Sequence, residues 1–123
     1  MNILIVEDDK QVILTITQIL ERLGYQADAA ETGEDAVKKV KEKSFNLILL
    51  DVYLPDTDAF QLIPRLEKVN PKLKIVAMTG YDTAELEKKI RKLGVLHYIR
   101  KPFTSNELKT LLMHIQEFFH LIG

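Results

Sequence analysis

A doubly wound α/β domain, five strand–helix units folded into one parallel sheet with helices on both faces, is the architecture this sequence predicts. Three observations carry it. Short apolar runs alternate with amphipathic stretches along the whole chain, which is the pattern of βα units. The runs Ile3-Leu4-Ile5-Val6 and Leu47-Ile48-Leu49-Leu50 are continuously apolar, as strands covered by helices on both sides must be. Helix-starting and helix-stopping residues fall between the runs at short spacing.

Taken in order, Asn2 to Val6 reads as a buried strand. Val12, Ile16, Ile19, Leu20 and Leu23 then share one helical face, and Gly24 is the stop. Tyr25 to Ala30 is a short strand. Thr32 with Asp35 forms an N-cap pair for a short helix carrying Ala36, Val37 and Val40. Phe45 to Leu50 is the most apolar strand and is placed at the sheet centre. Asp58 caps a helix with Ala59, Leu62, Ile63, Leu66 and Val69, in which Pro64 should kink the helix or shift its start. Lys74 to Met78 is a strand, and Asp82 with Glu85 forms a capping-box pair ahead of Leu86, Ile90 and Leu93. Gly94 ends that helix and Val95 to Ile99 is the fifth strand. Thr104 and Glu107 open the last helix, with Leu108, Leu111, Leu112, Ile115 and Phe119 on one face. No linker or repeat beyond the βα unit interrupts the pattern, so residues 1–123 read as a single domain with no output domain visible.

Composition narrows the function. The 123 residues suit one domain with a real core; hydrophobic residues make up 46% and charged residues 28%, ordinary for a globular protein. A net charge of −1 gives no steering toward nucleic acid or acidic membranes. The absence of cysteine removes disulfides, thiol catalysis and thiolate metal sites. With no signal-peptide pattern and no apolar run near ~20 residues, the expectation is a cytoplasmic protein that does not span a membrane.

The chemistry lies at the strand ends. Glu7, Asp8 and Asp9 follow the first strand and Asp51 follows the third. In an open parallel sheet that carboxyl edge is where ligands bind. Carboxylates converging there cannot all stay ionised unless a cation joins them, and a few hard oxygen donors suit Mg2+ better than a dedicated Ca2+ cage. Thr79 ends the fourth strand and Lys101 follows the fifth. Acids, a metal, a hydroxyl and an ammonium are the equipment for holding a phosphoryl group, with the Asp51 carboxylate as a nucleophile able to form an aspartyl phosphate.

The ordered elements Val6-Glu7-Asp8-Asp9, Leu49-Leu50-Asp51 with Leu54-Pro55, Met78-Thr79-Gly80 and Tyr98-Ile99-Arg100-Lys101-Pro102-Phe103 resemble those of the receiver domains of bacterial two-component response regulators, over nearly the whole chain. The resemblance implies a flavodoxin-like (βα)5 fold and a phosphorelay role. It makes Asp51 the phosphoacceptor and Glu7 and Asp8 the acidic pair, Asp8 a direct Mg2+ ligand and Glu7 acting through water. The backbone carbonyl of Tyr53 joins the metal shell, with Mn2+ as a substitute ion. Thr79 and Lys101 bind phosphoryl oxygens. Lys101-Pro102 is expected as a cis peptide that aims the lysine inward, and Tyr98 matches the aromatic switch that turns inward as Thr79 moves. Framing the acids as Asp8-Asp9 is the alternative; strand alternation and the family register favour Glu7-Asp8. Two departures are visible: Asp58-Ala59 where the family commonly has Asp-Gly, making a left-handed turn there less favoured, and Gly94-Val95 where Gly-Ala is common.

The expected partners are a sensor histidine kinase as phosphoryl donor and a downstream effector protein or output domain met by the face of the fourth helix, fifth strand and fifth helix. That face also suits a homodimer, because Phe118, Leu121 and Ile122 add apolar surface beyond one stripe. No direct nucleic-acid partner is expected. The protein is read as assisting its own phosphorylation and dephosphorylation, not as a turnover enzyme. Tyr53 and Tyr81 flank the site, where their rings should obstruct the water that attacks an aspartyl phosphate.

Other polar residues have plainer roles. Asp9, Asp56 and Asp58 are loop or cap carboxylates; His97, His114 and His120 are surface residues; Lys38, Lys39, Lys41, Lys88 and Lys89 are solvated faces. Among rival functions, an aspartyl-phosphate phosphatase wants a second acid two residues after the nucleophile, where Tyr53 stands. A flavin-binding protein wants a Ser/Thr/Gly-rich phosphate loop after the first strand, and a P-loop is absent. A receiver-like interaction module that is never phosphorylated is the remaining alternative.

Overall fold

In the computed structural model the chain runs β1 (Asn2–Val6), α1 (Lys10–Arg22), β2 (Gln26–Ala30), α2 (Gly33–Glu42), β3 (Leu47–Asp51), α3 (Ala59–Val69), β4 (Lys74–Thr79), α4 (Ala84–Arg91), β5 (His97–Arg100) and α5 (Ser105–Ile122). Residues 1–81 and 83–122 are described, the side chains of the last three excepted. The strands form one parallel sheet in the order β2-β1-β3-β4-β5, with Leu50 beside both Val6 and Ala77. The predicted doubly wound order is therefore present, with β3 at the centre. Strand bounds differ from the sequence reading by one or two residues: Asp51 and Thr79 are the last residues of their strands, and Phe45 is buried just ahead of β3.

Alternation along the buried strands divides the core in two. Ile3, Ile5, Leu47, Leu49, Val76 and Met78 face α1 and α5. Leu4, Ile48, Leu50, Ile75 and Ala77 face α2, α3 and α4. That is why both central strands are apolar without interruption.

The caps bear out most of the sequence reading. Asp9 accepts from Gln11 N and caps α1, Thr32 accepts from Asp35 N, and Asp58 accepts from Gln61 N. Thr104 accepts from Glu107 N at the start of α5. Gly24 and Gly94 adopt φ of 82° and 83° after α1 and α4, the left-handed conformation that glycine allows. α4 differs: Asp82, expected in its capping box, lies outside the described residues, and the observed N-cap is Thr83, accepting from Leu86 N at 3.0 Å. Pro64 sits inside α3 without moving its start, because Asp58 and the buried Ala59 already set it. Asp58 is extended at φ −133°, so Ala59 in place of the family's glycine meets no left-handed turn. Lys39 is not a merely solvated lysine: it reaches back to the Ala29 carbonyl and to Asp28 and Asp35.

Candidate metal and phosphoacceptor site

The sheet's carboxyl edge gathers the acids because β1 and β3 are neighbours in register. Glu7 continues the alternation of Ile3 and Ile5, as Asp51 continues that of Leu47 and Leu49, so both carboxyls emerge on the same side of the sheet. Glu7 is 1% exposed and Asp51 8% exposed, whereas Asp8 is exposed. Carboxylate oxygens of Glu7, Asp8 and Asp51 lie within 4.8 Å of one another, a spacing that can hold a metal ion.

Lys101 comes in from the far edge of the sheet. Its backbone N–H donates to the Thr79 carbonyl at 2.7 Å, and the Lys101-Pro102 peptide is cis, as expected. Its Nζ donates to Glu7 Oε1 at 2.8 Å and to Asp51 Oδ2 at 3.2 Å. One ammonium therefore serves two buried carboxyls, with a third beside them, and an excess of acid remains. Burial pushes the Glu7 carboxyl up to about 8, its hydrogen bond and charge contact with Asp51 add to this, and Lys101 opposes it. Burial works against the Lys101 ammonium, but the hydrogen bond to Glu7 and the charges of Asp51 and Glu7 outweigh it and hold the lysine above its ordinary range.

Glu7 Oε2 is buried with no hydrogen-bond partner among the described residues. A buried carboxyl oxygen without a donor is costly. Here it sits in a group whose donor atoms are all hard carboxyl oxygens. The residues thus fit a small hard divalent cation that keeps part of its water shell, and they are too few for a Ca2+ cage.

The other predicted residues are less closely joined. Thr79 is fully buried at the end of β4, one residue beyond the Met78 that pairs with Asp51. Its hydroxyl accepts from Tyr81 N at 3.0 Å. Tyr53 N approaches Asp51 Oδ1 at 3.5 Å, the outer limit of a hydrogen bond. Tyr98 is 7% exposed, in the cluster that contains Ile90, with the Arg91 guanidinium 5.9 Å from its ring centre. The ring already lies inward in this structure, so an inward turn is not needed to reach that position.

One contact between aromatic residues near the sheet edge is absent from the sequence reading. The rings of Tyr53 and Tyr81 pack edge to face, 5.4 Å between centres, while remaining 43% and 70% exposed. Their equal offset of two residues from Asp51 and Thr79, on adjacent strands, was the available signal. At the C-terminus Phe118 is exposed and lies 6.2 Å from Phe119, while the side chains of His120, Leu121 and Ile122 lie outside the described residues. Among the described residues no helix is long and apolar enough to cross a membrane.

Comparison with known proteins gives one answer. The family model described as response regulator receiver domain matches residues 3–113. The chain is 32% identical over 111 residues to the DNA-binding transcriptional regulator NtrC of Azospirillum brasilense, covering 90% of this chain and 23% of that one. It thus spans about a quarter of the length of the curated relatives it matches first. The crystal structure of a CheY-like response regulator receiver domain protein from Methanospirillum hungatei JF-1 superimposes with a TM-score of 0.91 at 31% identity, covering 99% of this chain and 98% of that one. The receiver domain of the sensor histidine kinase PA1611 of Pseudomonas aeruginosa PAO1, with a magnesium ion coordinated in its active-site cleft, superimposes at 0.82 with 26% identity, covering 92% and 94% of the two chains.

Proposed function

The chain belongs to the response regulator receiver domain family, and from that premise we propose that Asp51 is the phosphoacceptor of a Mg2+-dependent signalling switch. The observation that carries this reading is the Lys101 ammonium shared between Glu7 and Asp51, beside a buried Glu7 oxygen that has no donor among the described residues. Such a constellation is costly as plain packing and useful for receiving a dianionic group.

Glu7, Asp8, Asp51 and the Tyr53 carbonyl would hold Mg2+, or Mn2+ in its place. The ion supplies positive charge for the phosphoryl oxygens when bound. Asp51 then acts as nucleophile toward a phosphohistidine of a sensor histidine kinase. The carboxylate oxygen forms the new P–O bond as the P–N bond breaks, the electron pair stays on the imidazole, and the imidazole takes up a proton from solvent. Lys101 exchanges part of its contact with Glu7 and Asp51 for a phosphoryl oxygen. Thr79 leaves the Tyr81 amide and donates its hydroxyl proton to another. The displacement of Thr79, beside a Tyr98 ring that already lies inward, biases the packing of α4 and β5 and so changes the affinity of the α4–β5–α5 face for an effector protein, an output domain or a second copy of the chain. The protein assists its own phosphorylation and dephosphorylation without turning over a substrate.

The test is intact mass after incubation with acetyl phosphate, with and without Mg2+, for wild type and Asp51→Asn. One phosphoryl addition that requires both Mg2+ and Asp51 is expected. A folded wild type that gains nothing from acetyl phosphate or from a kinase panel would leave an interaction module that is never phosphorylated.

A further inference from the structure

The segment between β3 and α3, residues 52–58, carries Tyr53 and leads directly from Asp51. It is closed on itself: Leu54 N donates to Thr57 O at 2.9 Å, Ala59 N to Val52 O at 2.8 Å, and Tyr53 forms an antiparallel bridge with Asp58. At its tip stands Asp56, outside the acid cluster and exposed. Its carboxylate crosses to another element. Oδ1 accepts from Gly33 N at 2.8 Å and Oδ2 from Glu34 N at 3.1 Å, the first two amides of α2.

Asp56 is not the only residue that caps α2. Thr32 already accepts from Asp35 N, and Ala36 N donates to Thr32 O. What the carboxylate adds is a tie between the loop and the helix. The loop and helix also meet at the buried Gly33, where a Cβ would stand 2.4 Å from Thr57 Cγ2 and 3.5 Å from Asp56 Oδ2, so a side chain there would have to displace Thr57. The Gly33 amide, and the Glu34 amide behind it, keep the Asp56 carboxyl below the usual carboxylate range although its slight desolvation pulls the other way, so the tie is ionic at neutral pH.

We propose that Asp56 is a positioning residue: by latching the 52–58 loop onto the first turn of α2, it holds the Tyr53 carbonyl and the Asp51 carboxylate in the arrangement that binds the cation. The inference rests on the metal-binding reading above. Residues that orient ligands from outside a metal's own shell typically change its affinity by ~10–100-fold. An exposed latch belongs at the lower end.

The experiment is calorimetric Mg2+ titration at fixed pH and ionic strength for wild type, Asp56→Ala, Asp56→Asn and Thr32→Ala, each with a thermal melt. Asp56→Ala should weaken Mg2+ binding about tenfold, and Asp56→Asn, which keeps oxygen acceptance without the charge, should fall between. Thr32→Ala removes a cap of the same helix without touching the loop. It should lower the melting temperature and leave Mg2+ affinity at the wild-type value. If Asp56→Ala and Asp56→Asn bind Mg2+ as wild type does, the latch is structural only and the proposal fails. If Thr32→Ala weakens binding as much as Asp56→Ala, α2 stability is the cause and the proposal also fails. A wild type that binds no Mg2+ overturns the metal reading itself, and the proposal with it.

Discussion

Two loops leave the central strands side by side, and they are built to different standards. The loop after β3 is pinned at every step: Val52 N to Met78 O, Leu54 N to Thr57 O, Ala59 N to Val52 O, and Asp56 to α2. It leads into α3, which buries Ala59, Leu62, Ile63 and Leu66. The connection after β4 leads into α4, an eight-residue helix that buries Ile90 alone. Tyr81 in that connection is 70% exposed, and a Cβ added at Gly80 would meet nothing within 4 Å, where one at Gly33 would strike Thr57. The two loops carry the two halves of one site, Asp51 with Tyr53 and Thr79 with Tyr81. A switch needs a half that keeps the chemistry in place and a half whose packing can respond. Here the division follows from how many apolar side chains each helix buries.

The sharpest way to break this comparison is to empty one core position on each side. Leu62 and Ile90 are both fully buried. Leu62→Ala should cost about 3 kcal/mol and lower the melting temperature of the whole domain. Ile90→Ala removes the sole buried anchor of α4, so its effect should concentrate there: faster hydrogen exchange for α4 amides, with β3 amides still protected. Equal exchange across α3 and α4 in the Ile90 variant would sink the distinction.

The acid cluster also sets a pH dependence. Glu7 is raised from 4.5 to about 8 in the folded protein. Between those values the folded chain holds a proton that the unfolded chain releases. Without metal, the stability owed to this group is therefore complete below the lower value and is lost as pH rises through the upper one. A cation wants the carboxylate, so Mg2+ binding must expel that proton. Apparent Mg2+ affinity should rise by up to about tenfold per pH unit toward pH 8 and flatten above it, the limit for one linked proton. Calorimetry in buffers of different ionisation enthalpy reads the released proton. A pH-independent affinity over that range would mean that Glu7 is not displaced from its proton by the ion.

The smallest effect concerns the aromatic pair that bridges the two loops. Rings carried two residues beyond Asp51 and Thr79 should hinder the water that attacks an aspartyl phosphate. Replacing Tyr53 and Tyr81 together by asparagine should shorten its lifetime by about tenfold, equivalent to ~1.4 kcal/mol of barrier. The single change at Tyr53, held on the pinned loop, should account for more of it than the change at Tyr81. An unchanged rate of phosphate loss in the double variant would remove the shielding role.

What could be read without a structure was what repeats or stands next to itself in the chain. Buried strands announce themselves by uninterrupted apolar runs, helices by their stripe, and caps by Asp9, Thr32 and Asp58 three or fewer residues from the amides they serve. The acids and Lys101 were legible because they sit at strand ends in the order of a known family. Contacts between distant segments were not. Asp56 is a cap, but the helix it caps begins 23 residues earlier in the chain; Lys39 reads as a solvated charge and is tied back to β2; Tyr53 and Tyr81, 28 residues apart in the chain, touch each other. Periodicity and propensity are local and decide which elements form. Which side chain meets which across the sheet edge depends on strand order, register and loop closure, and those exist only once all five strands are packed. Thus the sequence by itself determined the fold class and the residue types at the site, while the tertiary structure alone decided that Lys101 is divided between two buried acids, that one Glu7 oxygen has no donor among the described residues, and that the loop after Asp51 is fastened to α2.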